Sequence, residues 1–299
     1  MLPSWSDEEL EQLRVAAIRR FVEQRLAEGA EPYSQTFNEC RRNVEELFHK
    51  TNALCNMDLE ILRKYPSLLE ALRYACGPPI SKDDLTTVSR GLLAMQSEGG
   101  KGTLDLLAAC VMVLMRMLDR NRFPWVFEKR EPTAPERHTA VIATASLWCV
   151  QRVATNRRGQ ASDIQQKAVE HVLKNLGYTR VARRKFIVPL AELEIGQYSL
   201  EAQLGEHKAD FVIRPDYRHV VAIECKVSNS GTNSIKRLND IINKARSWQQ
   251  SFGQQVVSVA VLGGVFKLAD LKRAQDAKVY LVFDHDLGPL RKTLEWTAP

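Results

Sequence analysis

Two segments a few residues apart limit the folds open to this chain more than any other feature: Lys208-Ala209-Asp210-Phe211-Val212-Ile213 and Val220-Val221-Ala222-Ile223-Glu224-Cys225-Lys226. Apolar/polar alternation and β-branched residues make both of them strands. Between them, Arg214-Pro215-Asp216-Tyr217-Arg218 carries the Pro and Asp of a tight reversal, so the pair reads as a β-hairpin. Residues two apart in a strand share a face; Glu224 and Lys226 therefore point one way, Ile223 and Cys225 the other. The reversal sets Asp210 opposite the Ala222–Glu224 region. Two carboxylates and an ammonium then meet at the end of an apolar hairpin, which is costly to bury unless the group binds something. Carboxylates with open coordination positions suit Mg²⁺. Asp210 and Glu224 are its expected ligands, joined by the backbone carbonyl of Cys225. Lys226, on the same face, is placed to orient or deprotonate a water, or to steady negative charge growing on a phosphorus.

The distribution of charge fits chemistry on phosphates. Residues 1–155 hold 20 Lys/Arg and 21 Asp/Glu, and residues 156–299 hold 22 and 15, so nets of −1 and +7 make up the +6 of the whole chain. The positive excess lies in the half that carries the acidic pair, as an enzyme binding a polyanion around a cation site requires. At 299 residues and 44% hydrophobic content the chain can bury one large core or two modest ones. No apolar run reaches the length of a membrane span and no basic-then-apolar leader opens the sequence, so a soluble, cytoplasmic protein away from membranes is expected. The six cysteines, Cys40, Cys55, Cys76, Cys110, Cys149 and Cys225, are scattered through apolar stretches without metal-type spacing. They read as reduced core residues.

The first half has helical periodicity. Ser6-Asp7-Glu8-Glu9 is a capping box, and further helices are predicted over 34–55, 58–76, 82–96, 103–120 and 133–155. Asn121-Arg122-Phe123-Pro124-Trp125 reads as a connection whose aromatics pack inward. The second half changes period: a helix over 162–176 closed by Gly177-Tyr178, strands near 180–188, 208–213 and 219–226, a helix over 234–251, a strand over 255–262, a helix over 267–276 and a strand over 278–283. The expected architecture is an all-α domain over 1–156 and an α/β domain over 157–299, with an α-β-β-β-α-β mixed-sheet core. The boundary is expected at a linker, Arg157-Arg158-Gly159-Gln160.

At the hairpin the chain resembles a known family. Asp210 followed by Glu224-x-Lys226 resembles the PD-(D/E)XK nuclease signature, with Ala209 where a proline often stands. More specifically, "ADFVI", "IECKVSNSGTNSIKRLND", "VLGGVFKL" and "FDHDL" resemble the second half of XamI-like type II restriction endonucleases. "LLEALRYACGPPISKDDL", "RFPW" and "QRVAT" resemble their first half. The resemblance implies a PD-(D/E)XK catalytic core and Mg²⁺-dependent cutting of double-stranded DNA at a short, palindromic sequence. It also implies a homodimer and a companion DNA methyltransferase in the same system. Nucleases of this fold often add an acidic residue from the first core helix; Gln166 occupies the matching place, and Glu170, four residues on, is the favoured ligand there. A repair, methyl-directed or junction-resolving nuclease of the same fold, or an inactive DNA-binding module, are the competing readings.

The residues after Lys226 suggest the DNA contact. Ser228, Asn229, Ser230, Thr232, Asn233 and Ser234 form a dense hydrogen-bonding run that leads to Lys236 and Arg237 on a helix. A helix N-terminus with hydroxyls and basic residues is a natural phosphate site, and Asn and Ser also read base edges. Arg183 and Arg184 are expected to touch the DNA backbone. Asp284-His285-Asp286 has metal-type residues but falls at a strand end, where a turn is expected.

Overall fold

Ser6 begins the first helix, α1 (Asp7–Glu28), in the way its spacing predicts: Glu9 N–H donates to Ser6 Oγ at 3.3 Å, and Ser6 N–H donates to Glu9 Oε2 at 2.8 Å. In this computed structural model, residues 4–96, 103–182, 186–187 and 191–296 are described. Contacts divide the chain into two compact units, Gly29–Asn156 and a second made of Met1–Glu28 with Arg157–Pro299. The first of these units ends at Asn156, and the first 28 residues join the second half rather than the helical one. The reason is packing. Leu10 and Ala17 of α1 are buried with Leu262, Phe266, Leu271 and Phe283, and Trp5 Nε1–H donates to Leu281 O at 2.8 Å.

The helical unit contains α2 (Glu31–Lys50), α3 (Leu59–Lys64), α4 (Ser67–Ala75), α5 (Lys82–Gln96), α6 (Thr103–Arg116), α7 (Pro124–Glu128) and the start of α8 (Ala134–Asn175). Phe123 and Trp125 are fully buried and meet Phe48 edge-on, so these aromatics do pack inward. Five of the six cysteines are buried as expected; Cys55 is exposed. The predicted linker is a helix instead. Arg157 to Gln160 lie in the middle of the 42-residue α8, which also absorbs the helix predicted to start at Ser162. A glycine inside a helix costs only about 1 kcal/mol relative to alanine, and nothing around Gly159 forces the chain to turn.

The other unit is built on one mixed sheet. Its strands are β1 (Thr179–Arg180), β2 (Phe186–Ile187), β3 (Gln197–Leu204), β4 (His207–Arg214) and β5 (Val220–Ser228), then, after α9 (Gly231–Phe252), β6 (Val256–Gly264), and after α10 (Leu268–Asp276), β7 (Val279–Phe283); α11 (Gly288–Trp296) follows. Spatial order is β1-β3-β4-β5-β6-β7, with β2 also on β3. β3, β4 and β5 form an antiparallel meander; β5, β6 and β7 run parallel. Helix, three-strand meander, helix, strand is the predicted order, but the first meander strand is β3. The strand expected near 180–188 is present only as the two-residue pieces β1 and β2. The apolar residues of β5 split between the faces: Val221, Ile223 and Cys225 pack with Val169 and Leu173 of α8, whereas Ala222 packs with Trp248 of α9. No described helix is long and apolar enough to cross a membrane.

Candidate active site

The β4–β5 ladder runs Ile213↔Val221, Val212↔Ala222, Phe211↔Ile223. One residue further, at Asp210, a side chain takes over: Cys225 N–H donates to Asp210 Oδ2 at 2.7 Å. That bond ties the aspartate to the strand carrying Glu224 and Lys226. Glu224 is 1% exposed and ends between two ammoniums, with Lys226 Nζ 2.8 Å from Oε2 and Lys244 Nζ 2.8 Å from Oε1. Lys226 Nζ also lies 3.1 Å from Asp240 Oδ2, and Lys244 donates to Lys208 O at 2.8 Å. Burial, then the negative charge of Asp210, raise the Glu224 carboxyl above the usual range despite the two lysines. Burial works against the Lys226 charge, but Glu224 and Asp210 outweigh it and hold that ammonium above an ordinary lysine.

These groups bear on a cation site. Although Lys226 is near, Glu224 Oε2 makes no hydrogen bond of acceptable geometry, so it is a buried carboxylate oxygen with lone pairs to spare. Asp210 has one oxygen, Oδ2, committed to Cys225 N–H. Among the described residues no three His, Cys, Asp or Glu side chains gather as a cage. Two hard oxygens without a cage suit Mg²⁺, which keeps several waters and takes further ligands from substrate phosphate. The Cys225 thiol plays no part there: it is 6% exposed, packs on the α8 face, and burial pushes its pKa well up. Only its backbone carbonyl can join the two carboxylates.

Strand spacing gives no sign of Lys244 or Asp240, which lie on α9. Lys244 sits on α9 beside the buried positions Ile241, Ala245 and Trp248. A lysine within such an apolar stripe is the signal that could have found it.

Glu170, the favoured ligand from the first core helix, has partners on β3, β1 and its own helix. Tyr198 Oη–H donates to its Oε1 at 2.9 Å, and Arg180 and Lys174 lie 3.4 and 3.5 Å away. Burial disfavours its charge, but these partners outweigh that and keep the carboxyl below the usual range. Through Tyr198 and Arg180 it anchors α8 to β3 and β1. The polar run after Lys226 divides as well. Ser228 and Ser234 are buried, with hydroxyls donated to Ser230 O and to Asp270 Oδ2, so they hold the turn. Ser230 caps α9 by accepting from Asn233 N–H at 3.3 Å. Asn229, Thr232, Asn233, Lys236 and Arg237 are exposed around that helix start. Arg183 and Arg184 lie outside the described residues.

Comparison with known proteins adds to this geometry. A family model described as XamI restriction endonuclease matches residues 52–283. Type II restriction enzyme XamI of Xanthomonas campestris pv. amaranthicola is 36% identical over 84% of this chain and 93% of its own length. Type II restriction enzyme SalI of Streptomyces albus G is 25% identical over 92% of this chain and 94% of its own length. Among solved structures, protein VC1899 of Vibrio cholerae covers 89% of this chain and 56% of its own at 15% identity, with a TM-score of 0.27, too loose a likeness to define a shared fold.

Proposed function

The chain belongs to the XamI restriction endonuclease family and is a type II restriction endonuclease, a site-specific deoxyribonuclease acting on double-stranded DNA; from that premise we propose that Asp210, Glu224 and Lys226 form its cutting centre, on a PD-(D/E)XK core. The observation that carries the assignment is the splay of the hairpin. Where the β4–β5 ladder stops, the Asp210 carboxylate fastens to Cys225 and brings two carboxylates and Lys226 to one place.

Asp210 and Glu224 would hold Mg²⁺, with the Cys225 carbonyl as a third protein ligand. When bound, the ion lowers the pKa of a coordinated water and neutralises charge on the phosphate oxygens. Lys226 keeps its proton and donates to the attacking water or to the phosphoryl oxygen on which charge grows. Lys244 and Lys226 offset part of the cost of ionising the buried Glu224. Asn229, Thr232, Asn233, Lys236 and Arg237 at the start of α9 would grip phosphate and base edges, as would Arg183 and Arg184. A symmetric cut in a palindrome needs two such centres, hence a homodimer. A companion DNA methyltransferase would protect the host's own copies of the sequence, and the pair would work in the cytoplasm. Asp210→Ala, Glu224→Ala and Lys226→Ala are each expected to abolish Mg²⁺-dependent cutting of plasmid DNA. The two carboxylate variants should still shift a duplex on a gel, because losing a carboxylate lowers its repulsion of phosphate. Full cutting by any one of the three would remove that residue from the centre.

A further inference from the structure

β3 and β4 keep one register along their length, from Gln197↔Arg214 to Leu204↔His207, which places Glu201 opposite Asp210. Glu201 has φ +49°, in the left-handed region that a residue with a Cβ rarely enters. Both strands change face at this pair. On one side of it, Tyr198, Leu200, Phe211 and Ile213 pack with Val169 and Leu173 of α8. On the other, Ala202, Leu204 and Ala209 pack with Trp248 of α9. In an unbroken strand Leu200, Ala202 and Leu204 share a face, and so do Phe211 and Ala209. The register does not slip, so the two strands rotate together at Glu201 and Asp210. β4 also leaves β5 here: the ladder ends at Phe211↔Ile223, and Asp210 Oδ2 accepts from Cys225 N–H at 2.7 Å. The rotated tip is fastened to α9, where Trp248 Nε1–H donates to Leu204 O and Lys244 Nζ donates to Lys208 O, both at 2.8 Å.

We propose that the left-handed turn at Glu201 sets the Asp210 carboxylate, so that Glu201 is a positioning residue of the cutting centre, acting through its backbone. Continued without the turn, the β4–β5 ladder sets Asp210 directly opposite Glu224, where like charges repel. Unbroken alternation also carries Ala202, Leu204 and Ala209 to the α8 face and takes them off Trp248. The turn avoids both. It swings the end of β4 toward α9, and Asp210 reaches Cys225 N–H with its side chain. The Glu201 side chain has a minor part: its ion pair with Lys208, 3.0 Å long, joins two side chains that are nearly half exposed, and such pairs are worth little. A disfavoured backbone conformation kept where a metal-binding carboxylate is aimed fits the way active sites store strain. This inference rests on the reading that Asp210 belongs to the centre.

Glu201→Gly, Glu201→Gln, Glu201→Val and Glu201→Thr are to be compared with wild type in plasmid cutting, in Mg²⁺ binding by calorimetry without DNA, and in thermal unfolding. Glycine enters the left-handed region freely, so Glu201→Gly should melt no lower than wild type and keep its cutting rate and Mg²⁺ affinity within about twofold. Glu201→Gln removes the charge and leaves the backbone preference as it was, and should do the same. β-Branched residues are the worst placed there, so Glu201→Val should weaken Mg²⁺ binding about tenfold or more, as loss of a partner behind a metal ligand does, and slow cutting at least as much. Glu201→Thr gives the same reading with less apolar surface should Glu201→Val fail to fold. In an Asp210→Asn background, Glu201→Val should lower Mg²⁺ affinity no further while still lowering the melting temperature. Loss of cutting in Glu201→Gly or Glu201→Gln would give the side chain the role assigned to the backbone and overturn the proposal. Wild-type Mg²⁺ affinity in both β-branched variants, or an additive loss in the double variant, would overturn it too. Unchanged Mg²⁺ affinity in Asp210→Asn alone would instead remove Asp210 from the centre, and this inference with it.

Discussion

Lys244→Met tests the electrostatics of the centre at a residue outside the hairpin. In the wild type, Glu224 is 1% exposed and each of its oxygens lies 2.8 Å from an ammonium. Removing one partner of a buried ion pair costs about 3–5 kcal/mol when nothing else compensates. Here Lys226 stays on Oε2, so roughly half of that cost, ~2 kcal/mol, is expected. For a unit of this size that corresponds to a melting temperature lower by about 4–8 °C. The sign with pH follows from Glu224. Its carboxyl is already raised in the folded protein, and loss of Lys244 raises it further. A raised carboxyl contributes stability that is complete below the ordinary glutamate pKa and is lost as pH rises through the folded value. The variant loses more of it, so its deficit is largest at neutral and alkaline pH, where Glu224 is ionised, and shrinks in acid. The assay is thermal unfolding of both proteins at about pH 8 and about pH 5, with cutting rates across the same range. The acid limb of the rate profile should move to higher pH, because the ionised carboxylate is the form that holds metal. An equal melting deficit at both pH values, with an unmoved acid limb, would refute the reasoning.

Three further outcomes are expected. Leu10→Ala, which removes a fully buried side chain of α1 from its place against β6 and α10, should destabilise the cutting unit by about 3 kcal/mol, read by denaturant unfolding. Glu170→Ala should leave cutting in saturating Mg²⁺ near wild type while costing about 1 kcal/mol from the lost Tyr198 bond. The Tyr198 phenol, raised to about 12 by burial and by Glu170, should titrate lower in that variant by ultraviolet absorbance; a large loss of cutting would return Glu170 to the centre. Residues 156–299, with 22 Lys/Arg against 15 Asp/Glu, should retain salt-sensitive, non-specific DNA affinity when expressed alone but be less stable than the intact protein, since α1 is missing; cutting of the same site with undiminished efficiency would contradict both expectations.

The hairpin was legible because strand periodicity is strict there and one turn joins its halves, so the facing of Asp210, Glu224 and Lys226 follows from spacing alone. The α9 face was legible for the same reason. β3 was not: Gln197-Tyr198-Ser199-Leu200-Glu201-Ala202-Gln203-Leu204 alternates, but Glu, Ala and Gln are poor strand formers, and only pairing with β4 makes the strand. Gly159 looked like a break, yet a single glycine is too weak to end a helix of this length. Lys244 belongs to a helix brought to the strand ends by tertiary packing, 18 residues after Lys226, a distance over which local pattern carries no information. Glu170 was assigned by analogy of place on a helix; its partner Tyr198 lies on the very strand that the pattern did not reveal.

The division of the chain into two units has a consequence for when the enzyme can become dangerous to the cell that makes it. The core of the cutting unit joins Leu10 and Ala17 to residues of β6, α10 and β7, so its first helix is synthesised long before the surface it covers. At about 5–20 residues per second, the roughly 250 residues between α1 and β7 take on the order of 12–50 s to be made. Through that interval α1 has no sheet to lie on, and the third strand of the parallel run is missing. Maturation is therefore timed by the last elements of the unit rather than by the hairpin that bears the acidic pair. A nascent or broken chain that already contains Asp210, Glu224 and Lys226 still lacks the packing that would fix them, which delays the release of a working nuclease until its synthesis is nearly over.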